Sequence, residues 1–152
     1  MPGEGKTVGL SGHEITFVHK NPDGAYSLIE WVAAPGAPGT PLHLHRKTDE
    51  AFYVLEGTFG FQIDKQALDG AAGTFFFVRR GLEHAFWNQG PNPARLLATM
   101  SPAGFERYFE ELAEGLATAG GWGATEAAME VRKTLSERHD IEVVGSPRQA
   151  AS

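Results

Sequence analysis

The sequence predicts an all-β sandwich or barrel followed by a helical C-terminal extension, and two observations carry that prediction. Between His13 and Pro102 the chain is a succession of short β-leaning segments, each bounded by Gly, Pro, Asn or Asp. Many short strands at close spacing are the pattern of a sandwich or barrel. After Pro102 the texture changes, and apolar residues recur at helical spacing with glutamates between them.

The β segments read EITFVH, AYSLIEWVAA, EAFYVLEG, TFGFQID, GTFFFV, EHAFWNQG and RLLATMSP. Asn21-Pro22-Asp23-Gly24 is a turn between the first two, since these residues favour tight turns. Residues 34–41, APGAPGTP, carry three prolines and cannot be helical, so they form a loop feeding the next strand. In the C-terminal part, Phe105, Tyr108, Phe109, Leu112 and Leu116 fall on one helical stripe, expected to pack on the barrel. Gly120-Gly121 ends that helix, and Thr125 is placed to N-cap a second one running to about Arg138. The expected organisation is a single domain over 1–152. It consists of a barrel over 13–102, a helical extension over 103–145 and a flexible tail over 146–152, with residues 1–12 mobile or edge-associated.

A chain of 152 residues with 41% hydrophobic and 21% charged residues has the composition of a globular domain. Net charge is −6, with no Lys/Arg cluster to neutralise phosphates, so neither nucleic acid nor an anionic membrane is an expected partner. A small-molecule substrate is. There is no cysteine, which rules out disulfides, thiolate metal sites and cysteine nucleophiles. The first residues show neither the basic nor the apolar region of an export signal, and no apolar run reaches the ~18 residues of a membrane span. The expectation is a soluble, cytoplasmic protein.

The chemically informative stretch is Pro41-Leu-His43-Leu-His45-Arg-Lys-Thr-Asp49-Glu50. On a strand, side chains alternate faces, so His43 and His45 share one. Glu50 follows after a turn's length, and Phe52 and Val54 continue its face. A carboxylate on an apolar face needs a strong partner, and a metal ion is one. His84, with Phe86 two residues on, offers a third imidazole from another segment. Three imidazoles and one carboxylate suit iron, manganese, nickel, copper, cobalt or zinc, whereas an all-oxygen shell would suit magnesium or calcium. His13, His19 and His139 have no such spacing and are expected at the surface or a strand edge. Tyr53 and Trp87 alternate away from the ligand face and are expected in packing or an interface.

With those residues in view, the sequence resembles the cupin superfamily. The first family motif, G-x5-H-x-H-x(3–4)-E-x6-G, is matched by His43, His45, Glu50 and Gly57. The second, G-x5-P-x-G-x2-H-x3-N, is matched by Gly73, Gly81, His84 and Asn88. Ala37 stands where the first motif has its glycine and Arg79 where the second has its proline; both positions shape loops. The resemblance implies a double-stranded β-helix, or jelly-roll barrel, with one divalent transition metal held by His43, His45, Glu50 and His84. Asp49 is the alternative acid, since the family tolerates either spacing, but Glu50 lies six residues before Gly57 and heads the Phe52/Val54 face.

A substrate pocket is expected from Phe52, Val54, Phe59, Phe61, Ile63, Phe75, Phe77 and Phe86. Such a phenylalanine-rich interior looks like the quercetin dioxygenase-like single-domain cupins of the cupin_2 type. The leading expectation is therefore an oxidoreductase of dioxygenase type acting on a small hydrophobic phenolic or enolic substrate, with Glu50 also the catalytic proton acceptor. The alternatives are a non-redox metal-dependent cyclase or isomerase, or a metal-containing binding module without turnover. The resemblance further implies a homodimer through sheet edges.

Overall fold

The computed structural model describes residues 5–21, 23–121 and 125–147. The expectations for residues 1–4, Pro22 and 148–152 fall outside these. The strands are β1 (Thr7–Leu10), β2 (His13–His19), β3 (Ser27–Ala33), β4 (Leu42–Leu44), β5 (Asp49–Glu56) and β6 (Thr58–Ile63). Then follow β7 (Gln66–Ala71), β8 (Phe75–Val78), β9 (His84–Asn88) and β10 (Ala94–Ser101). Helices α1 (Glu106–Thr118) and α2 (Glu126–Arg138) come next, and a last strand, β11 (Glu142–Gly145), closes the order.

Two antiparallel sheets form the barrel, one in the order β1-β2-β3-β10-β5-β8 and the other β11-β4-β9-β6-β7. Residues 34–41 form the loop expected from their prolines, and the N-terminal segment contributes the edge strand β1. The period-two pattern works as read: in β3 and β10 every second residue is buried, so Ile29, Trp31, Leu96, Ala98 and Met100 face inward. Phe52 meets Phe61 and Phe86 across the interior at 5.4 Å between ring centroids, and Phe61 stacks on Phe76 at 4.1 Å. These contacts join the two sheets through one aromatic core.

In β8 the run of three phenylalanines leaves the strand's phase open in the sequence, and the structure resolves it against expectation. Phe76 and Val78 are buried, while Phe75 and Phe77 are 61% and 56% exposed. The register explains this. Val78 pairs with Glu50 and Phe76 with Phe52, and directly paired residues share a face of the sheet. Since Glu50 and Phe52 point inward, Phe75 and Phe77 must point out.

Two motif glycines are required by backbone shape. Gly57, at the β5–β6 turn, has φ +74°, and a Cβ there would come within 2.9 Å of the Ala94 backbone. Gly81 has φ +81°, and its N–H donates to the carbonyl of His45 at 2.6 Å. Any L side chain strains both positions.

The helices form where expected. Tyr108, Phe109, Leu112 and Leu116 make the buried stripe of α1, and the Thr125 hydroxyl caps α2 by accepting from the Ala128 N–H at 3.2 Å. Strand β11 pairs with β4, placing Val143 opposite His43. Among the described residues no helix is long and apolar enough to cross a membrane.

Candidate metal centre

His43 lies on β4, His45 just beyond it, Glu50 on β5 and His84 on β9. The β4–β9 pairing sets His43 directly opposite His84, with ring centroids 4.3 Å apart. The two-residue step from His43 to His45 and the return through the 46–49 turn bring the third ring and the carboxylate to the same point. All four residues are buried, and one ligand atom from each lies within 4.8 Å of the others. A shell of ~2.1 Å bonds spans at most about 4.2 Å between opposite ligands, so inward shifts of some tenths of an ångström bring this set to bonding distance.

The hydrogen bonds fix which nitrogen each ring presents. His43 Nδ1 donates to the Pro41 carbonyl at 2.7 Å, His84 Nδ1 to the Leu82 carbonyl at 3.0 Å, and His45 Nδ1 to the Asp140 carbonyl. A carbonyl only accepts, so each Nδ1 carries its proton, and each ring, when neutral, turns a lone pair on Nε2 inward. Glu50 Oε2, another acceptor, lies 2.6 Å from His84 Nε2 and 3.3 Å from His45 Nε2. His45 Nε2 is buried without a well-aligned hydrogen bond. Acceptors converging in a dry pocket repel one another unless a proton or cation sits among them. This donor set fits a divalent transition metal.

The titration properties agree with that geometry. Burial, reinforced by the neighbouring His84 and His45, pushes the His43 pKa down to about 3. Burial opposes charge on His45 as well, but the Glu50 carboxylate outweighs it and raises this pKa. Burial pushes Glu50 up, yet His45 and His84 overcome it and hold the carboxyl well below its usual range. For His43 the folded pKa lies below the unfolded value of ~6.5, so the unfolded chain binds the extra proton across that interval. His43 therefore removes stability as pH falls from about 6.5 toward 3, and Glu50 removes more once pH drops below its unfolded value near ~4.3. We expect the melting temperature of metal-depleted protein to fall continuously through this window in a calorimetric pH series; a flat profile contradicts a buried neutral His43.

Asp49, the alternative acid, faces away from the centre. Its carboxylate accepts from the Arg80 backbone N–H at 2.7 Å and pairs with the guanidinium at 3.0 Å.

A small cavity of about 50 Å³ adjoins the centre, with His43 and Glu50 in its wall. Of the eight residues expected to line a pocket, Phe52 and Phe86 do so. Val54, Phe59 and Phe61 are packed into the barrel core instead, and Ile63 sits half-buried against it. Phe75 and Phe77 point outward, as the β8 register requires. Trp31 on β3 and the four side chains Phe105, Tyr108, Phe109 and Leu112, which close the cavity at α1, also line it, beyond the expected set. The helical stripe was visible in the sequence, but nothing there indicated which part of the barrel it covers.

The remaining histidines also differ from expectation in part. His13 is 3% exposed rather than at the surface. Its Nδ1 accepts from Trp31 Nε1 at 3.0 Å and its Nε2 donates to the Pro38 carbonyl at 2.6 Å, so it holds the indole that walls the cavity. His139 is mostly buried beside Glu111, 2.7 Å from its carboxylate. His19 is exposed, next to Tyr26. Tyr53 is 46% exposed on the outer face, as its alternation predicted.

The family model of the cupin domain matches residues 29–100, which span β3 to β10 and include all four clustered residues. The two-sheet barrel is a cupin jelly roll. Among solved structures, an RmlC-like cupin from Shewanella frigidimarina is 26% identical, with a TM-score of 0.58 over 66% of this chain and 86% of that one. KdgF from a Halomonas species is 23% identical, with a TM-score of 0.54 over 60% and 79%. The nucleoside dehydratase Pac13 is 14% identical, with a TM-score of 0.55 over 67% and 79%. A search of curated proteins found no match.

Proposed function

We propose that this protein is a metal-dependent cupin enzyme of dioxygenase type, acting on a small, mainly apolar substrate that carries a phenolic or enolic oxygen. The observation that carries the reading is the pairing of four buried donors with an apolar cavity on one side of them. Besides His43 and Glu50, the polar side chains in the cavity wall are Thr40 and Tyr108, and the Trp31 N–H is already given to His13. A polyhydroxylated substrate would leave several hydroxyls unpaired there, each costing roughly 1–3 kcal/mol. A ligand with one oxygen-bearing end and an apolar body leaves none. The volume also favours a small ligand, since about 50 Å³ accommodates roughly three to five waters at ~10–15 Å³ each.

His43, His45, Glu50 and His84 would hold the metal, one divalent ion of iron, manganese, nickel, copper, cobalt or zinc. The bound ion would supply Lewis acidity and, for the redox-active members of that series, a route for electrons to dioxygen. Glu50 takes the second role. Its carboxylate is the one acidic group in the cavity wall, and it would accept the hydroxyl proton of an entering phenol or enol. His84 Nε2 lies 2.6 Å from Glu50 Oε2, so the two atoms would be held to the same ion. The phenyl rings of Phe52 and Phe86 with the indole of Trp31 keep bulk water from the reacting end.

Elemental analysis of purified, untagged protein, followed by oxygen-electrode measurements with small phenols and enols, tests the reading. The expected result is near-stoichiometric redox-active metal and oxygen uptake with at least one substrate. Zinc with no oxygen uptake would overturn the dioxygenase proposal and favour a Lewis-acid lyase or isomerase.

A further inference from the structure

His45 is held from outside the barrel. Its Nδ1 donates to the Asp140 carbonyl, and its ring packs against Phe105 at 4.4 Å between centroids. The side chain of Asp140 binds the residues that follow. One carboxylate oxygen accepts from the Arg46 N–H at 2.8 Å, and the other accepts from the Lys47 N–H and the Thr48 hydroxyl, both at 2.8 Å. One residue thus receives hydrogen bonds from four consecutive residues, 45 through 48, which make up nearly all of the turn between His45 and Glu50. The two backbone donors have no strand partner, because β4 ends at Leu44 and β5 begins at Asp49. A carboxylate receiving backbone N–H groups makes short, charge-assisted bonds of about twice the strength of neutral ones. Asp140 lies between α2 and β11, forty residues beyond the end of the cupin-domain match at residue 100.

We propose that Asp140 is a positioning residue of the metal centre, so that the C-terminal extension is a built-in part of the site rather than a covering for the barrel. Its carbonyl fixes the His45 tautomer and ring angle, and its carboxylate fixes the turn that sets the spacing between His45 and Glu50. Partners of this outer kind typically carry 10–100-fold in metal affinity. The inference rests on the metal reading above, and its test separates the two.

Metal-depleted wild type, Asp140→Ala, Asp140→Asn and a His45→Ala control are titrated with cobalt(II). The visible d–d spectrum reports coordination, and thermal melts followed by circular dichroism report folding. Asp140→Ala keeps the backbone carbonyl that holds His45 but frees the 46–48 turn, and it is expected to bind cobalt about 10-fold more weakly, with its d–d band displaced from that of wild type. Asp140→Asn keeps one oxygen acceptor and should lie between Asp140→Ala and wild type. A purely structural role would lower the melting temperature while leaving affinity and spectrum at wild-type values, and that result overturns the proposal. Should Asp140→Ala fail to fold, Asp140→Asn decides: native melting with weakened, spectrally altered binding supports it, and wild-type binding overturns it. Wild type that binds no cobalt removes the metal reading itself, and the inference goes with it.

Discussion

Replacing His84 by alanine is expected to lower metal affinity by more than the 10–100-fold typical of an outer-shell loss, while far-UV circular dichroism stays that of the wild type. His84 supplies one of four donors and also the shortest contact to Glu50, 2.6 Å. Its removal deletes a ligand and frees the carboxylate from one of its two imidazole neighbours. The barrel should survive, because its core is built from the aromatic and aliphatic residues of β3, β5, β6 and β10 rather than from the cluster. Metal titration alongside the spectrum checks both halves. Wild-type metal content in His84→Ala would remove this residue from the centre, and spectral collapse would make its role structural.

The largest stability effect is expected at Phe61. This side chain is fully buried, stacked on Phe76 at 4.1 Å and on Phe86 at 5.5 Å, and it bridges both sheets. Phe61→Ala deletes a ring that the close-packed surroundings cannot refill, which costs about 3–5 kcal/mol. For a chain of this size that corresponds to a melting temperature lower by on the order of 10 °C. The matched variant Phe75→Ala removes the same atoms from a ring 61% exposed and should shift stability by no more than about 0.5 kcal/mol. Equal losses in the two variants would contradict the β8 register, since the contrast depends entirely on which phenylalanines face the core.

The contrast between Phe61 and Phe75 also shows where the sequence was informative. In β3, β5 and β10 apolar and less apolar residues alternate, so the inward face could be read directly. In β8 three phenylalanines in succession carry no alternation, and only pairing with Glu50 and Phe52 fixes the phase. His13 was misplaced for a related reason. Its solvent exposure depends on Trp31 and on the Pro38 carbonyl, which are eighteen and twenty-five residues away.

The four clustered residues stood out because the requirement is local. Two histidines two apart, an acid one turn later and a third histidine beside a strand phenylalanine are short-range patterns, and the structure brings their donors within 4.8 Å. The cavity wall was not legible in this way. About a quarter of it comes from α1 and its N-cap Phe105, and the stripe of that helix announces a buried face without saying what it is buried against.

The sequence alone determined the strand-rich barrel, the two helices with their Thr125 cap and Gly120 stop, and the residues able to act as donors, because alternation, capping and motif spacing act over a few residues. Tertiary structure decided the facing of β8, the helix that closes the cavity, and the attachment of His45 to Asp140 across 95 residues of chain. Those depend on which distant surfaces meet, and contacts of that range are fixed by the packing of the whole core.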